Sequence, residues 1–280
     1  MIRIRDFSFR YKDAERDAIS HLSLDVADGE FLGIIGPSGA GKTTLCWSLA
    51  GLVPLRFPGA FYGEIRVNDR DTIDAGPEGI AAEAGFVFQD IESQITASVV
   101  EDEMLFGLEN FGVPRADIEE RVSWALRAAG IEDLRERTID SLSGGQKQKV
   151  VIAAAAALRP KIIILDEPTG ELDPCSSRMV FEFLADLNRR EGTTIIVIEQ
   201  KIMLLCEFAR RLAVFDAGRM LVCAETREVL RQGETLEAAG VNIPRVCTLG
   251  RVLAGKGLYA GPLPRDLSEG IAMMREVCGA

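Results

Sequence analysis

Phe31-Leu32-Gly33-Ile34-Ile35-Gly36-Pro37-Ser38-Gly39-Ala40-Gly41-Lys42-Thr43-Thr44 is the stretch that decides the fold. It opens as a short apolar run of strand character. It ends in Thr44-Leu45-Cys46-Trp47-Ser48-Leu49-Ala50, which has helical composition and stops at Gly51. Strand, glycine loop and helix in that order are the context in which a Walker A loop has physical meaning. The glycines let backbone N–H groups converge on the β- and γ-phosphates of a nucleotide. Lys42 supplies a mobile point charge, and Thr43 offers a hydroxyl to Mg²⁺. The bare pattern arises by chance in on the order of one chain in a hundred of this size, so the flanking strand and helix carry the reading.

The chain holds a matching partner at Lys161-Ile162-Ile163-Ile164-Leu165-Asp166-Glu167-Pro168. Four apolar residues without alternation mark a strand buried on both faces, as in a parallel sheet. Two carboxylates end it where such sheets place their ligands. Asp166 is read as the Mg²⁺ ligand and Glu167 as the group that orients or deprotonates an attacking water. Carboxylates cannot cheaply follow Ile-Ile-Ile-Leu without a cation or water to meet them.

A third stretch, Leu142-Ser143-Gly144-Gly145-Gln146, opens an Ala-rich run that reads as a mostly buried helix. Ser143 is its natural N-cap, and the Gly144 and Gly145 amides stand at the positive end of the helix, a ready-made anion site. A lone Ser-Gly-Gly would be an ordinary capped helix start. Beside the other two motifs it is a signature.

With these motifs in this order, the chain resembles the nucleotide-binding subunit of an ABC transporter. The resemblance is dense over about the first 220 residues. It implies an α/β fold: a P-loop NTPase (RecA-like) core with an N-terminal antiparallel β subdomain, an inserted α-helical subdomain and a small C-terminal accessory domain. It implies ATP and Mg²⁺ as cofactors. Tyr11 matches the aromatic that stacks on adenine, and stacking on such platforms is worth about 1–3 kcal/mol per base. Gln89 matches the glutamine that touches Mg²⁺ and the attacking water and senses the transporter. Asp173, in Glu171-Leu172-Asp173, matches the aspartate that reaches across to a second subunit. In the family the two anion loops sit on different subdomains. The resemblance therefore implies a head-to-tail dimer in which each ATP lies between one chain's Gly36–Thr44 and the other chain's Ser143, Gly144, Gly145 and Gln146.

Softer segments point to one branch. Gln89-Asp90-Ile91-Glu92-Ser93-Gln94, Val99 to Glu103, Phe106 to Asn110, and a C-terminal extension with Ala239-Gly240-Val241-Asn242-Ile243-Pro244 are similar to the ATPases of energy-coupling factor importers, which take up vitamins or transition-metal ions. One landmark is missing. Gln200, in Glu199-Gln200-Lys201, stands where the family places a histidine against the γ-phosphate. Its amide can donate a hydrogen bond but cannot carry positive charge or relay a proton, which implies a weakened hydrolytic site. His21, the one histidine, falls in Ile19-Ser20-His21-Leu22 and reads as an exposed strand residue.

Composition bounds the rest. The 32 basic and 43 acidic residues give a net charge of −11, with no basic cluster, which argues against nucleic acid as a partner. The six cysteines have no metal-ligand spacing and read as reduced thiols of a cytoplasmic protein. No apolar run approaches the ~20 residues of a membrane helix, so a membrane subunit must be another chain and this one sits on the cytoplasmic face of the membrane. The expected organisation is an ATPase domain over 1–216, with helical character from about 91 to 158, then an accessory or dimerisation region over 217–280. Between Pro114 and Gly130, Ile118, Val122, Ala125, Leu126 and Ala129 share one helical face. Two other readings stand beside the transport ATPase: a soluble ABC-type ATPase, and a regulatory subunit that binds ATP without hydrolysing it.

Overall fold

The computed structural model describes residues 1–279. Ten strands build two sheets: β1 (Ile2–Tyr11), β2 (Ile19–Val26), β3 (Phe31–Ile35), β4 (Gly59–Val67), β5 (Arg70–Asp71), β6 (Ala84–Val87), β7 (Ile162–Asp166), β8 (Thr194–Glu199), β9 (Arg211–Asp216) and β10 (Arg219–Glu225). The first sheet, in the order β2-β1-β4-β5, is antiparallel throughout. The second runs β10-β9-β3-β8-β7-β6 and is parallel except for its β9–β10 edge. The fold is thus the mixed α/β architecture implied by the resemblance.

The parallel sheet explains why β3 and β7 show no hydrophobic alternation. Alternate residues of a strand point to opposite faces, and here both faces are covered. Phe31, Ile35, Ile163 and Leu165 enter one core, while Leu32, Ile34, Ile162 and Ile164 enter the other. The first core is closed by the helices Pro174–Glu191 and Ile202–Phe208. The second is closed by the helix Lys42–Leu49 and by the antiparallel sheet. Between β6 and β7 the chain leaves the sheet to form the helices Val100–Asn110, Arg115–Ala128 and Gly144–Ala157, which share a third core. Val122, Ala125 and Leu126 are buried in that core as their spacing predicts, with Pro114 at the N-cap and Gly130, at φ 66, just past the end.

Two local features differ from the sequence reading. Residues Thr72–Ala81, in the region expected as an antiparallel β subdomain, are helical in two pieces broken at Gly76, whose φ 62 and ψ 179 are not helical, just before Pro77. Asp71 starts it by accepting from the Ile73 and Asp74 amides. At the other end of the chain, the division expected at 216/217 falls in the turn of a β-hairpin. β10 completes the edge of the main sheet, and Val229, Leu230, Leu236 and Cys247 pack into its core. His21 lies on β2, exposed, paired with Asp6 at 2.7 Å. All six cysteines are unpaired. No helix among the described residues is long and apolar enough to cross a membrane.

Candidate active site

The loop between β3 and the helix Lys42–Leu49 owes its shape to two glycines. A Cβ on Gly36 would come within 2.2 Å of the Phe215 carbonyl oxygen. At Gly41 (φ 94) it would come within 2.4 Å of the Ala18 carbonyl oxygen. Only glycine lets the backbone run this close, and at Gly41 it also adopts a left-handed conformation. Lys42 folds back into the loop, its Nζ donating to the carbonyls of Gly36 (2.8 Å) and Pro37 (2.9 Å). Burial lowers its pKa, an effect opposed by the carboxylates of Glu167, Asp166 and Glu199.

A cleft of about 290 Å³ opens over this loop. Ser38, Gly39, Gly41, Lys42, Thr43 and Thr44 form its floor, with Tyr11, Gln89, Glu167 and Gln200 around the rim. Gly36 and Ala40 are buried and Pro37 is half-buried, and the Gly36 and Pro37 carbonyls are the acceptors that hold Lys42. Tyr11 packs edge-on against Phe9, ring centroids 4.9 Å apart, and its hydroxyl meets Thr44 Oγ1 at 3.0 Å. The ring is therefore fixed relative to the phosphate loop.

Glu167 is the hub of the rim. Gln200 Nε2 donates to its Oε1 at 2.7 Å, and Gln89 Nε2 to its Oε2 at 3.4 Å. Its backbone stands at φ 52, a conformation costing a non-glycine residue about 1–3 kcal/mol and kept only where neighbours enforce it. Behind it, Asp166 is fully buried and neither carboxylate oxygen has a hydrogen-bond partner. Burial raises its pKa to about 6. The Thr43 hydroxyl beside it, outside hydrogen-bonding geometry, and the Lys42 charge offset this only partly, and the Glu167 charge adds to it. An orphaned carboxylate beside a threonine hydroxyl is a donor set that would suit a hard divalent cation, whereas Gln89 is placed against Glu167.

The signature stretch lies elsewhere; none of its residues lines the cleft. Ser143 and Gln146 form a reciprocal capping box, with Ser143 Oγ accepting from the Gln146 amide (3.3 Å) and Gln146 Oε1 from the Ser143 amide (3.0 Å). Gly144 and Gly145 lie against Glu171 and Leu172, where a Cβ on Gly145 would approach Leu172 Cδ2 to 3.0 Å. Asp173 caps the helix Pro174–Glu191, its Oδ1 accepting from the Cys175 and Ser176 amides. The signature and the Asp173 loop therefore share one surface, apart from the cleft.

Three residues that hold the site were not singled out in the sequence. Gln94 pins the loop carrying Gln89, accepting from the Phe88 amide (2.7 Å) and donating to the Phe86 carbonyl (3.2 Å). Gln148 reaches from the signature helix to the Glu167 carbonyl at 3.1 Å. Glu199 receives the amide and hydroxyl of Thr169. A signal existed for the last two. A glutamine inside a buried Ala-rich helix, like a carboxylate ending an apolar strand, needs a specific partner.

Residues 19–170 match the family described as ABC transporter. The chain is 38% identical over 258 residues to a chain named as an ABC transporter ATP-binding protein in Pyrococcus horikoshii, covering 92% of this chain and 91% of that one. It is 36% identical to the energy-coupling factor transporter ATP-binding protein EcfA1 of Caldanaerobacter subterraneus subsp. tengcongensis, with 99% of each chain covered. Among solved structures, cbiO1 from Clostridium perfringens, described as part of the ABC transporter complex cbiONQ, superposes with a TM-score of 0.73 at 28% identity, over 90% of this chain and 98% of that one.

Proposed function

This chain belongs to the ABC transporter family, and we propose that within it the chain is the ATP-hydrolysing subunit of a prokaryotic energy-coupling factor importer for a vitamin or a transition-metal ion. The observation that carries this reading is the Glu167 carboxylate held between the Gln89 and Gln200 amides over a phosphate loop whose lysine is caged by its own carbonyls. The branch implied by the sequence agrees with the names of the relatives.

Each side chain has a task in this reading. Lys42 exchanges its two carbonyl partners for β- and γ-phosphate oxygens. Tyr11 supports the adenine. Glu167, steadied by two amides, receives the proton of the attacking water. Thr43, Asp166 and Gln89 would hold Mg²⁺, which neutralises charge developing on the phosphates. The Ser143–Gln146 loop, outside the cleft, completes the site of a second ATPase subunit, either this chain's copy or a related chain. ATP then clamps the two together, and hydrolysis releases them. The Gln200 contact also gives the regulatory reading an observation of its own, because an amide anchored on Glu167 cannot supply charge to the γ-phosphate.

The membrane subunits dock, in this proposal, in a groove of about 870 Å³ lined by Phe86, Phe88, Gln94, Phe106, Phe111 and Leu158. Phe106 and Phe111 are 50% and 48% exposed there, and Phe88 and Gln94 connect the groove to the Gln89 loop. The complex then sits peripherally on the cytoplasmic face of the membrane. Phe106→Asp should abolish co-purification with membrane subunits while sparing ATP binding. Glu167→Gln tests the clamp: with Mg-ATP this variant should run as a dimer in size exclusion, and a monomer would overturn it.

A further inference from the structure

Three successive residues at and just past the end of β8, Ile198 to Gln200, grip the loop that follows β7. The Ile198 carbonyl accepts from the Glu167 amide at 2.9 Å. Glu199 Oε1 accepts from the Thr169 amide at 3.0 Å and from the Thr169 hydroxyl at 2.6 Å. Gln200 Nε2 then holds the Glu167 carboxylate itself. Glu199 and Thr169 are each only 3% exposed. A carboxylate buried this deeply, in the neighbourhood of Asp166 and Glu167, would be costly without strong donors. A backbone amide and a hydroxyl on one oxygen are charge-assisted bonds of the stronger kind.

The loop needs such an anchor. Glu167 sits at φ 52, and the Gly170 amide closes a turn onto its carbonyl at 3.2 Å. Without the Thr169 tie, nothing from β8 would fix the far side of that turn, and Glu167 could relax toward an unstrained backbone. Its carboxylate would then leave the span set by Gln89 and Gln200.

We propose that Glu199 is a positioning residue for ATP hydrolysis, which locks the 167–170 loop through Thr169 and so holds the Glu167 carboxylate over the phosphate loop. The proposal rests on Glu167 being the group that acts on the attacking water. Glu199 does not line the cleft and acts on Glu167 through that loop, although its charge also reaches Lys42. A misplacement of about 1 Å in such a group costs up to ~100-fold in rate.

The test is single-turnover ATP hydrolysis with ATP affinity measured in parallel. Glu199→Ala should lower the rate about 10- to 100-fold while leaving the Kd for ATP within about twofold. Glu199→Gln keeps an acceptor oxygen for both Thr169 donors and should recover to within about threefold of the parent. In a Glu167→Gln background, Glu199→Ala should cause no further loss, because the group it positions is gone. Thr169→Val removes one of the two bonds at nearly constant volume and carries the same prediction at smaller effect, should Glu199→Ala not fold. A parental rate for Glu199→Ala, or equal loss in Glu199→Gln and Glu199→Ala, overturns the proposal. So does a fall in affinity matching the fall in rate. A parental rate for Glu167→Gln would instead remove the reading of Glu167 itself, a result separable from all of these.

Discussion

Two helix starts in this molecule carry anion-binding loops of similar chemistry and use them differently. At Gly36–Thr44 the glycines force the backbone into a cradle, the lysine is held by main-chain carbonyls, and four rim side chains from distant segments close over the top. At Ser143–Gln146 each side chain accepts from the other residue's backbone amide in a capping box, and none of the four residues lines the cleft. In the proposed clamp the first loop is half of a reaction chamber. The second is the end that meets a second subunit, kept preformed by a capping box worth about 0.5–2 kcal/mol. Tyr11, Gln89, Glu167 and Gln200 line the cleft over the first loop and none of the second loop's residues does, which suits the proposal that each loop serves a different nucleotide.

The sharpest break in this comparison is at Lys42. Lys42→Ala removes the only side-chain cation of the first loop and should weaken ATP binding by about a hundredfold or more, ~2.7 kcal/mol, as read with a fluorescent ATP analogue. Unchanged affinity would dissolve the distinction between the loops.

Asp166 offers the next test. Its folded pKa of about 6 lies above the ordinary carboxylate value, so the folded state holds the proton more tightly than the unfolded chain. Its contribution to stability is therefore lost as pH rises from about 4 through 6. Asp166→Asn should stabilise the metal-free protein by up to about 3 kcal/mol at pH 8, seen as a higher Tm. The gain should vanish near pH 4, while Mg²⁺-dependent turnover collapses at every pH. A Tm difference independent of pH would mean that the buried carboxylate already has a partner.

The smallest expected effect is at Gln200. Gln200→His places a chargeable donor where an amide already holds Glu167. Phosphate release at saturating Mg-ATP should rise by about tenfold, ~1.4 kcal/mol. A fall in rate would show that the rim is built around the amide.

The sequence disclosed what is local in the chain. β7 is legible because both faces of a parallel strand are covered, and the 115–128 helix because one face follows a helical period. Ser143 reads as a cap for the same reason. What escaped depends on distant partners or broken patterns. The helix at 72–81 is masked by Gly76 and Pro77. β10 belongs to the main sheet only because β9 is there to receive it. The bonds from Gln148 to the Glu167 carbonyl and from Thr169 to Glu199 join residues 19 and 30 positions apart, which no local periodicity encodes.

The claim that the two loops serve different nucleotides is tested most directly by complementation. Lys42→Ala and Ser143→Arg are made separately, each in a Glu167→Gln background, and run with Mg-ATP alone and as a mixture. The arginine fills the space meant for phosphate and opposes the helix dipole, so neither variant should dimerise by itself, although Ser143→Arg should still bind ATP. The mixture contains one intact composite site, formed by the first loop of the Ser143→Arg chain and the signature of the Lys42→Ala chain, and should dimerise. Loss of ATP binding by isolated Ser143→Arg, or no dimer in the mixture where Glu167→Gln alone forms one, would contradict the account.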